Sequence, residues 1–309
     1  MDPRPQSDAA AAHEHRLNFA WLEITNRCNL TCRHCYAKSG PDESSTGTMR
    51  YDDWCRVMDE ARTLGCRGLQ LIGGEPTLHP RFLDLVSAAR GKGFESIEVY
   101  TNATRLSPEL CGELKRLNVS LAISFYSPDA GSHDRITGKP GSFRKTVNGI
   151  TEAVRNGLAV RVGIVAMDEN AGQVNEAKEL VTNLGVSSIK IDNDRHIGRS
   201  KHSDALDPMS QLCGSCGRER IAINANGEVS PCVFSHFSAL GHVSEGLAAI
   251  LQRPALEEFG RQLSASRGDL CSPGCGPHEC GPGDDSSKSC FPKGCDPDMC
   301  NPISCPPRD

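Results

Sequence analysis

Three cysteines near the amino end have a spacing that suits metal or cluster chemistry. Cys28, Cys32 and Cys35 are separated by three and then two residues, and they directly follow the first β-rich run. Three thiolates satisfy three corners of a four-iron cubane and leave one iron open to a substrate or cofactor, whereas an electron carrier normally supplies four. A structural zinc site with His34 or another cysteine as fourth ligand fits the same spacing, and so do three unrelated core thiols. The spacing alone leaves these alternatives open.

A second motif follows the second β-rich run. It reads Gly73-Gly74-Glu75-Pro76. Two glycines allow a ligand to approach the backbone closely, and the carboxylate of Glu75 can pair with an amino group. Four residues are a weak signal by themselves, so the weight of this motif comes from its place in the chain.

The elements that must position these motifs alternate between β-rich runs and amphipathic segments from residue 17 to about 194. This alternation predicts βα units in a parallel sheet. Six units are too few for a closed eight-stranded barrel, so we expect an α/β fold with a partial (βα)6 TIM-like barrel. Any chemistry should then lie at the carboxyl ends of the strands. The predicted strands are 18–24, 68–72, 96–101, 120–125, 159–166 and 188–192, and the predicted helices are 51–64, 81–92, 108–117, 142–156 and 171–184.

The last third of the chain holds a second group of thiols. Cys213 and Cys216 form a CxxC pair, and Asn226-Gly227 predicts a tight hairpin that returns Cys232 towards them. The tail repeats Cys and Pro every five residues, which presents thiols at intervals without a helix. Because the tail has few large apolar side chains, it is either disordered or held by metal or crosslinks. Its cysteines are Cys271, Cys275, Cys280, Cys290, Cys295, Cys300 and Cys305.

Composition and charge exclude several classes of protein. A formal net charge of -5 argues against a nucleic-acid partner. No window approaches the roughly 18 apolar residues of a membrane span, and residues 1–16 lack the apolar core of a signal peptide. We therefore expect a cytoplasmic protein in which disulfides are not the default use of 16 cysteines. Cys55, Cys66 and Cys111 are predicted to be buried structural thiols.

Taken together, the three-cysteine loop after the first strand and the Gly-Gly-Glu-Pro turn after the second resemble the radical S-adenosylmethionine enzymes. The resemblance covers residues 17 to about 195. It implies that Cys28, Cys32 and Cys35 bind a 4Fe-4S cluster whose open iron chelates the amino and carboxylate groups of S-adenosylmethionine. It also implies that an electron entering the cluster cleaves this cofactor to methionine and a 5′-deoxyadenosyl radical.

The same resemblance implies cofactor contacts away from the cluster. Gly73, Gly74 and Glu75 would approach the methionine amino group. Ser124 on the fourth strand and Arg135 in the next loop match residues that relatives use on the ribose and the carboxylate. The alternative to a cofactor contact is that Ser124 is only a hydroxyl at the end of a strand and that Arg135 is only a surface charge. Weaker matches are His34, beside the last cysteine, and Asn102.

The second thiol group resembles the opening half of a SPASM domain, or of its shorter twitch form, both of which carry auxiliary iron-sulfur clusters. The tail departs from the usual SPASM spacing. Its seven thiols and the three upstream ones, ten in all, suffice for one cluster or for two. Structural zinc or an unused tail are the alternatives for the last few cysteines. The predicted organisation is a mobile arm at 1–16, a radical core at 17–195, a linker at 196–212 and a small Cys-rich C-terminal auxiliary-cluster domain at 213–309.

Relatives with a SPASM-type extension modify ribosomally synthesised peptides, so the resemblance implies a maturase that forms a crosslink, a thioether or an epimerised centre. Two alternatives stay open: a dehydrogenase or epimerase of a small metabolite such as an aminoglycoside, and a non-catalytic electron-transfer protein. The expected partners are a peptide or small-molecule substrate and an electron donor such as flavodoxin or ferredoxin. Because 16 residues before the first strand are too few for a leader-binding domain, a separate leader-peptide recognition protein is also expected. Neither nucleic acid nor membrane is expected as a partner.

Overall fold

A curved, mostly parallel β-sheet organises the chain in the computed structural model, which describes residues 17–200 and 206–266. Its first six strands lie side by side in chain order, all parallel. This confirms the α/β class and the six predicted βα strands. The strands are β1 (Phe19–Thr25), β2 (Gly68–Gly73), β3 (Ser96–Thr101), β4 (Ser120–Phe125), β5 (Val160–Ala166) and β6 (Ser188–Asn193).

The helices that connect these strands bury one face each against the sheet. Strands β1 and β2 are buried along almost their whole length, as expected for a parallel sheet that is covered on both faces. Local sequence sets the helix ends, because Ser107 accepts a hydrogen bond from Leu110 N at 3.2 Å at the start of the third helix. The helices are α1 (Tyr51–Thr63), α2 (Phe82–Gly91), α3 (Pro108–Arg116), α4 (Ala130–Thr137), α5 (Ser142–Arg155) and α6 (Val174–Asn183).

Helix α4 lies in a segment that is predicted from the sequence to be a loop. Asp129 caps its first turn by accepting a hydrogen bond from Ser132 N at 2.7 Å, and Gly138 ends it in the left-handed conformation. The Asp134 side chain then accepts hydrogen bonds from Ser142 Oγ and Phe143 N, both at 2.8 Å, at the start of α5. The cap residues were visible in the sequence, but the helix is too short for its apolar period to be recognised.

The carboxyl-terminal part continues the same sheet. Strand β7 (Arg220–Ile223) pairs in parallel with β1, and β8 (Glu228–Ser230) returns antiparallel, which confirms the hairpin around residues 226–227. The short β9 (Gly241–His242) closes the strand order as β6-β5-β4-β3-β2-β1-β7-β8-β9. Helices α7 (Leu247–Leu251) and α8 (Pro254–Ser266) follow.

Several sequence-based predictions lie outside the described residues. These are the mobile arm at 1–16 and the tail cysteines from Cys271 onward, so the structure does not bear on them. No helix within 17–200 or 206–266 combines the length and the apolar character needed to cross a membrane. The limits of the core, the linker and the auxiliary domain stay predictions.

Candidate active site

The three-cysteine loop and the Gly-Gly-Glu-Pro turn meet at one cavity at the carboxyl ends of the strands. The space enclosed by its lining residues is about 910 Å³ when the open solvent at its mouth is included. Residues after β1, β2, β3, β4 and β6 contribute to its wall. The wall includes the candidate residues Cys28, Cys32, Cys35, Gly73, Gly74 and Ser124.

The cysteine loop is held in place by backbone hydrogen bonds to helix α4. Thr31 N donates to Thr137 O at 2.9 Å, and Arg33 N donates to Ile136 O at 3.0 Å. The end of α4 approaches so closely that a side chain at Gly138 would collide with Thr31. Helix α4 therefore supports the outer side of the loop that carries the three thiols.

Cys28 is buried, Cys32 and Cys35 are partly buried, and the three thiols lie within electrostatic range of one another. Burial, followed by the nearby Glu75 carboxylate, raises the pKa of Cys28 to about 12, and burial also raises the pKa of Cys32. A positively charged metal centre would offset this cost, because thiolates become favourable when they ligate iron. Among the described residues, no three His, Cys, Asp or Glu side chains are close enough together to hold a single metal ion. All three thiols line the cavity, and three thiolates are the number that leaves one iron of a four-iron cluster open.

The two glycines of the turn lie against the start of the cysteine loop. Gly73 adopts a positive φ of 123°, and a Cβ atom there would collide with Thr25 O. At Gly74 a Cβ atom would collide with Arg27 O. Gly74 N donates to Thr25 O at 2.7 Å, which joins the turn to the end of β1. Only glycine allows this approach, and it leaves backbone polar groups exposed to the cavity wall.

The Glu75 side chain is held inside the protein, and its predicted approach to the methionine amino group stays a prediction. Its carboxylate is fully buried and does not line the cavity. It accepts hydrogen bonds from Thr77 Oγ1 and Thr101 Oγ1, both at 2.7 Å, and from Asn102 N at 2.8 Å. These donors satisfy the carboxylate within the protein, so in this structure it ties β2 to β3. Sequence alone did not show that three donors would converge on it.

The remaining predicted contacts divide into two groups. Ser124 lines the cavity and donates a hydrogen bond to Tyr100 OH at 3.2 Å. Asn102 also lines the cavity, and its Nδ2 lies 3.8 Å from Cys28 Sγ. Arg135 does not line the cavity, because it sits on α4 and donates to Ser132 Oγ at 2.9 Å. Its predicted contact with the cofactor carboxylate is not supported by this placement.

The residue beside the last cysteine forms part of the aromatic wall. His34 packs edge-on against Tyr126, with ring centroids 4.8 Å apart. Burial, followed by the charge of Arg199, lowers the pKa of His34 to about 4, so the imidazole is neutral at physiological pH. Tyr126 was not identified from the sequence, where nothing distinguishes it from a core aromatic residue.

The auxiliary thiols that the structure describes lie together. Cys216 Sγ and Cys232 Sγ are 2.9 Å apart, and Cys213 lies beside Cys216. The hairpin of β7 and β8 brings them together, as the sequence predicted. Cys216 and Cys232 belong to an apolar cluster with Trp21 and Phe234. The downstream thiols, Cys271, Cys275, Cys280, Cys290, Cys295, Cys300 and Cys305, lie outside the described residues.

A buried carboxylate on β1 connects the two thiol groups. Glu23 accepts a hydrogen bond from Tyr36 OH at 2.9 Å, and the imidazole Nε2 of His236 lies 2.6 Å from its other oxygen. Tyr36 directly follows Cys35, whereas His236 lies four residues after Cys232. No local sequence pattern indicates this contact, because Glu23 and His236 are more than 200 positions apart in the chain.

The ion pair between His236 and Glu23 should make stability depend on pH. The Glu23 carboxylate raises the pKa of His236 from 6.5 to about 9. The stabilisation is therefore complete below pH 6.5 and is lost as the pH rises through 9. Since 36% of the His236 side chain is exposed, its contribution is on the order of 1 kcal/mol. We expect wild type to exceed His236→Gln in unfolding temperature near pH 6 and to match it near pH 10, and a gap that widens with pH would contradict the pair.

Two family models match the chain. One, described as the radical SAM superfamily, matches residues 22–181. The other is SPASM, described as an iron-sulfur cluster-binding domain, and it matches residues 213–276. The first match covers more than half of the chain, so the protein belongs to the radical SAM superfamily, whose members are enzymes. It also carries a SPASM domain.

Individual relatives agree with this assignment. The chain is 31% identical over 188 residues to the tungsten-containing aldehyde ferredoxin oxidoreductase cofactor-modifying protein of Pyrococcus furiosus, covering 57% of this chain and 51% of that protein. It is 26% identical over 287 residues to the antilisterial bacteriocin subtilosin biosynthesis protein AlbA of Bacillus subtilis, covering 82% of this chain and 63% of AlbA. Among solved structures, SuiB of Streptococcus suis bound to its precursor peptide SuiA superposes with a TM-score of 0.67 at 14% identity, covering 81% of this chain and 67% of SuiB.

These matches define the cofactors of the family and the extent of the resemblance. The radical SAM domain implies a 4Fe-4S cluster and S-adenosylmethionine, and the SPASM domain implies auxiliary iron-sulfur clusters. The likeness to SuiB shows the fold alone. The chain spans between about half and two thirds of the length of the two curated relatives.

Proposed function

We propose that the protein is a radical S-adenosylmethionine maturase that abstracts a hydrogen atom from a ribosomally synthesised peptide and thereby forms a crosslink, a thioether or an epimerised centre. The observation that carries this proposal is the convergence of three thiols and a two-glycine turn on one cavity. Two named relatives, AlbA as a bacteriocin biosynthesis protein and SuiB as a protein bound to a precursor peptide, support a peptide substrate.

In this proposal Cys28, Cys32 and Cys35 bind the 4Fe-4S cluster. The backbone of Gly73 and Gly74, which lines the cavity, receives the methionine end of S-adenosylmethionine. When bound, the cluster and S-adenosylmethionine supply the hydrogen-atom abstraction from an unactivated carbon. The protein's own residues position these groups and the substrate carbon and keep water away from them.

The other cavity residues have positioning roles in the proposal. The Glu75 side chain holds the glycine turn against β3 through its buried hydrogen bonds, and Glu75 stays a candidate for contact with the methionine amino group. Ser124 presents a hydroxyl group to the cavity and remains the candidate for a ribose contact. Aromatic rings of Tyr126 and Tyr100 form the apolar wall that keeps the reacting carbon from solvent.

The auxiliary thiols would hold at least one further cluster. Cys213, Cys216 and Cys232 are close enough together to ligate one centre, with the remaining ligand supplied by the tail. We also propose flavodoxin or ferredoxin as the electron donor and a separate protein for leader-peptide recognition.

The proposed function can be tested with any short peptide that a reading frame beside this chain's gene is found to encode. Anaerobically reconstituted, reduced protein is incubated with S-adenosylmethionine and that peptide in deuterated water, and the products are followed by mass spectrometry. We expect one 5′-deoxyadenosine for each modified peptide, with loss of hydrogen atoms or gain of deuterium in the peptide. Turnover of an amino sugar without any change in the peptide would favour the metabolite alternative. Cluster content without 5′-deoxyadenosine under any condition would favour the electron-transfer alternative.

A further inference from the structure

A short segment after β6 grips the backbone of the cysteine loop. The Arg199 side chain donates from Nε to Cys32 O at 2.7 Å and from its terminal nitrogen to Ser39 O at 2.8 Å. Arg199 N donates to Cys35 O at 3.0 Å. The preceding Gly198 has a φ of 70°, and any side chain there would collide with Cys35 O. The loop that carries Cys32 and Cys35 is thus held by a segment that lies about 160 positions later in the chain.

The guanidinium group of Arg199 brings a positive charge to this loop. Its hydrogen-bond acceptors are carbonyl oxygens, and no carboxylate among the described residues forms an ion pair with it. Its charge acts on Cys32 and on His34. Arg33, on the same loop, differs because it pairs with Glu169 at 3.0 Å and is 65% exposed. Among the described residues, Arg199 thus brings to the loop a positive charge that no carboxylate pairs with.

The segment that contains Arg199 is itself fixed to the stretch that leads to the auxiliary thiols. The guanidinium of Arg195 donates to Gln211 O and to Asp192, and His196 N donates to Gln211 Oε1 at 3.2 Å. Gln211 lies two residues before Cys213. The predicted linker therefore contains residues that pack firmly against the site, so Arg199 is held in a defined position.

We propose that Arg199 is a positioning residue that holds the cysteine loop and raises the reduction potential of the cluster bound there. This inference rests on the proposed function, since it assumes that Cys28, Cys32 and Cys35 are the ligands. Reduction adds one negative charge to the cluster, and a fixed cation beside it stabilises the reduced form. The hydrogen bonds to Cys32 O and Cys35 O keep that cation at the loop.

The test is a redox titration followed by electron paramagnetic resonance on the full-length, anaerobically reconstituted protein. The signal of the core cluster is identified as the one that changes when S-adenosylmethionine is added. At the wild-type midpoint potential, we expect the ratio of reduced to oxidised core cluster to fall about tenfold in Arg199→Gln, which is about 59 mV for a one-electron couple. Arg199→Lys keeps the charge and should stay within about twofold of wild type. The matched control Arg33→Gln removes a charge from the same loop and should also stay within about twofold, because Glu169 already neutralises it.

Each outcome decides for or against the inference. An Arg199→Gln protein with full iron content and the wild-type potential would overturn it. If Arg199→Gln does not bind the core cluster, the decision rests on Arg199→Lys. A wild-type midpoint potential of the core cluster in Arg199→Lys supports the role of the charge, and a lowered midpoint potential rejects it. A wild-type protein that shows no cluster responsive to S-adenosylmethionine would refute the proposed function itself, which is a different failure.

Discussion

Replacing Cys32 by Ala is expected to abolish the formation of 5′-deoxyadenosine. The substitution removes one of three thiols that line the cavity, and no fourth thiol among the described cavity residues can take its place. The loss should far exceed the roughly 10- to 100-fold decrease that follows removal of an outer hydrogen-bond partner of a metal ligand. The measurement is 5′-deoxyadenosine by chromatography after anaerobic reconstitution and reduction.

Cys55→Ala is the matched control for this experiment. Cys55 is a partly buried thiol on α1, outside the cavity, and we expect its removal to leave 5′-deoxyadenosine formation within about twofold of wild type. If Cys32→Ala retained the activity, the first thiol group would have no place in the mechanism.

The second large effect is expected for Gly74→Ala. Its new Cβ atom would collide with Arg27 O and lie 2.9 Å from Asn26 O, both of which belong to the backbone and cannot swing aside. The turn and the cysteine loop must then separate. We expect a loss of about 2–4 kcal/mol of stability and a fall of about 100-fold in activity, because a displacement of about 1 Å at a reacting centre has effects of that size.

Gly112→Ala provides the contrast. Gly112 lies inside α3, and nothing lies within 4 Å of the position that its Cβ atom would take. Alanine there should raise stability by about 0.5–1 kcal/mol through its better helix propensity and leave activity unchanged. Thermal unfolding and the 5′-deoxyadenosine assay on both variants check these expectations. If Gly74→Ala and Gly112→Ala had the same unfolding temperature and the same activity, the close approach of the turn to the cysteine loop would be unimportant.

Local patterns in the sequence were sufficient to predict the sheet and the place of the site. Each of the six parallel strands lies within a few residues of its predicted position, because buried apolar runs bounded by turns are readable without tertiary information. The parallel order then placed Cys28 and Gly73 at the same end of neighbouring strands. The hairpin around Gly227 followed from its own two residues, since a positive φ of 86° there favours glycine.

Contacts between distant parts of the chain could not be predicted. Strands β6 and β1 are five places apart in the sheet, yet Arg199 after β6 binds the loop after β1, because the sheet curves. No local pattern in the sequence predicts this curvature of the sheet. The contact between Glu23 and His236 depends on the pairing of β7 with β1, which the sequence analysis did not anticipate.

The carboxylate of Glu75 shows a different limit. Its residue type correctly marked an important position, but the sequence did not reveal that Thr77, Thr101 and Asn102 would direct their donors at it. A buried carboxylate with several internal donors is held in place by the protein itself. Arg135 likewise matched a family position, and the capped helix α4 then placed it on the far side of the cysteine loop from the cavity wall.

The most direct test of the central claim is electron-nuclear double resonance on the reduced, anaerobically reconstituted protein with S-adenosylmethionine labelled at its amino nitrogen and carboxylate oxygens. If three thiols leave one iron open in the cavity, the labelled atoms should couple to the cluster spin in wild type and the coupling should be absent in Cys32→Ala. Wild-type protein that contains a reduced cluster but shows no coupling to either label, or that holds zinc at these thiols, would contradict the account.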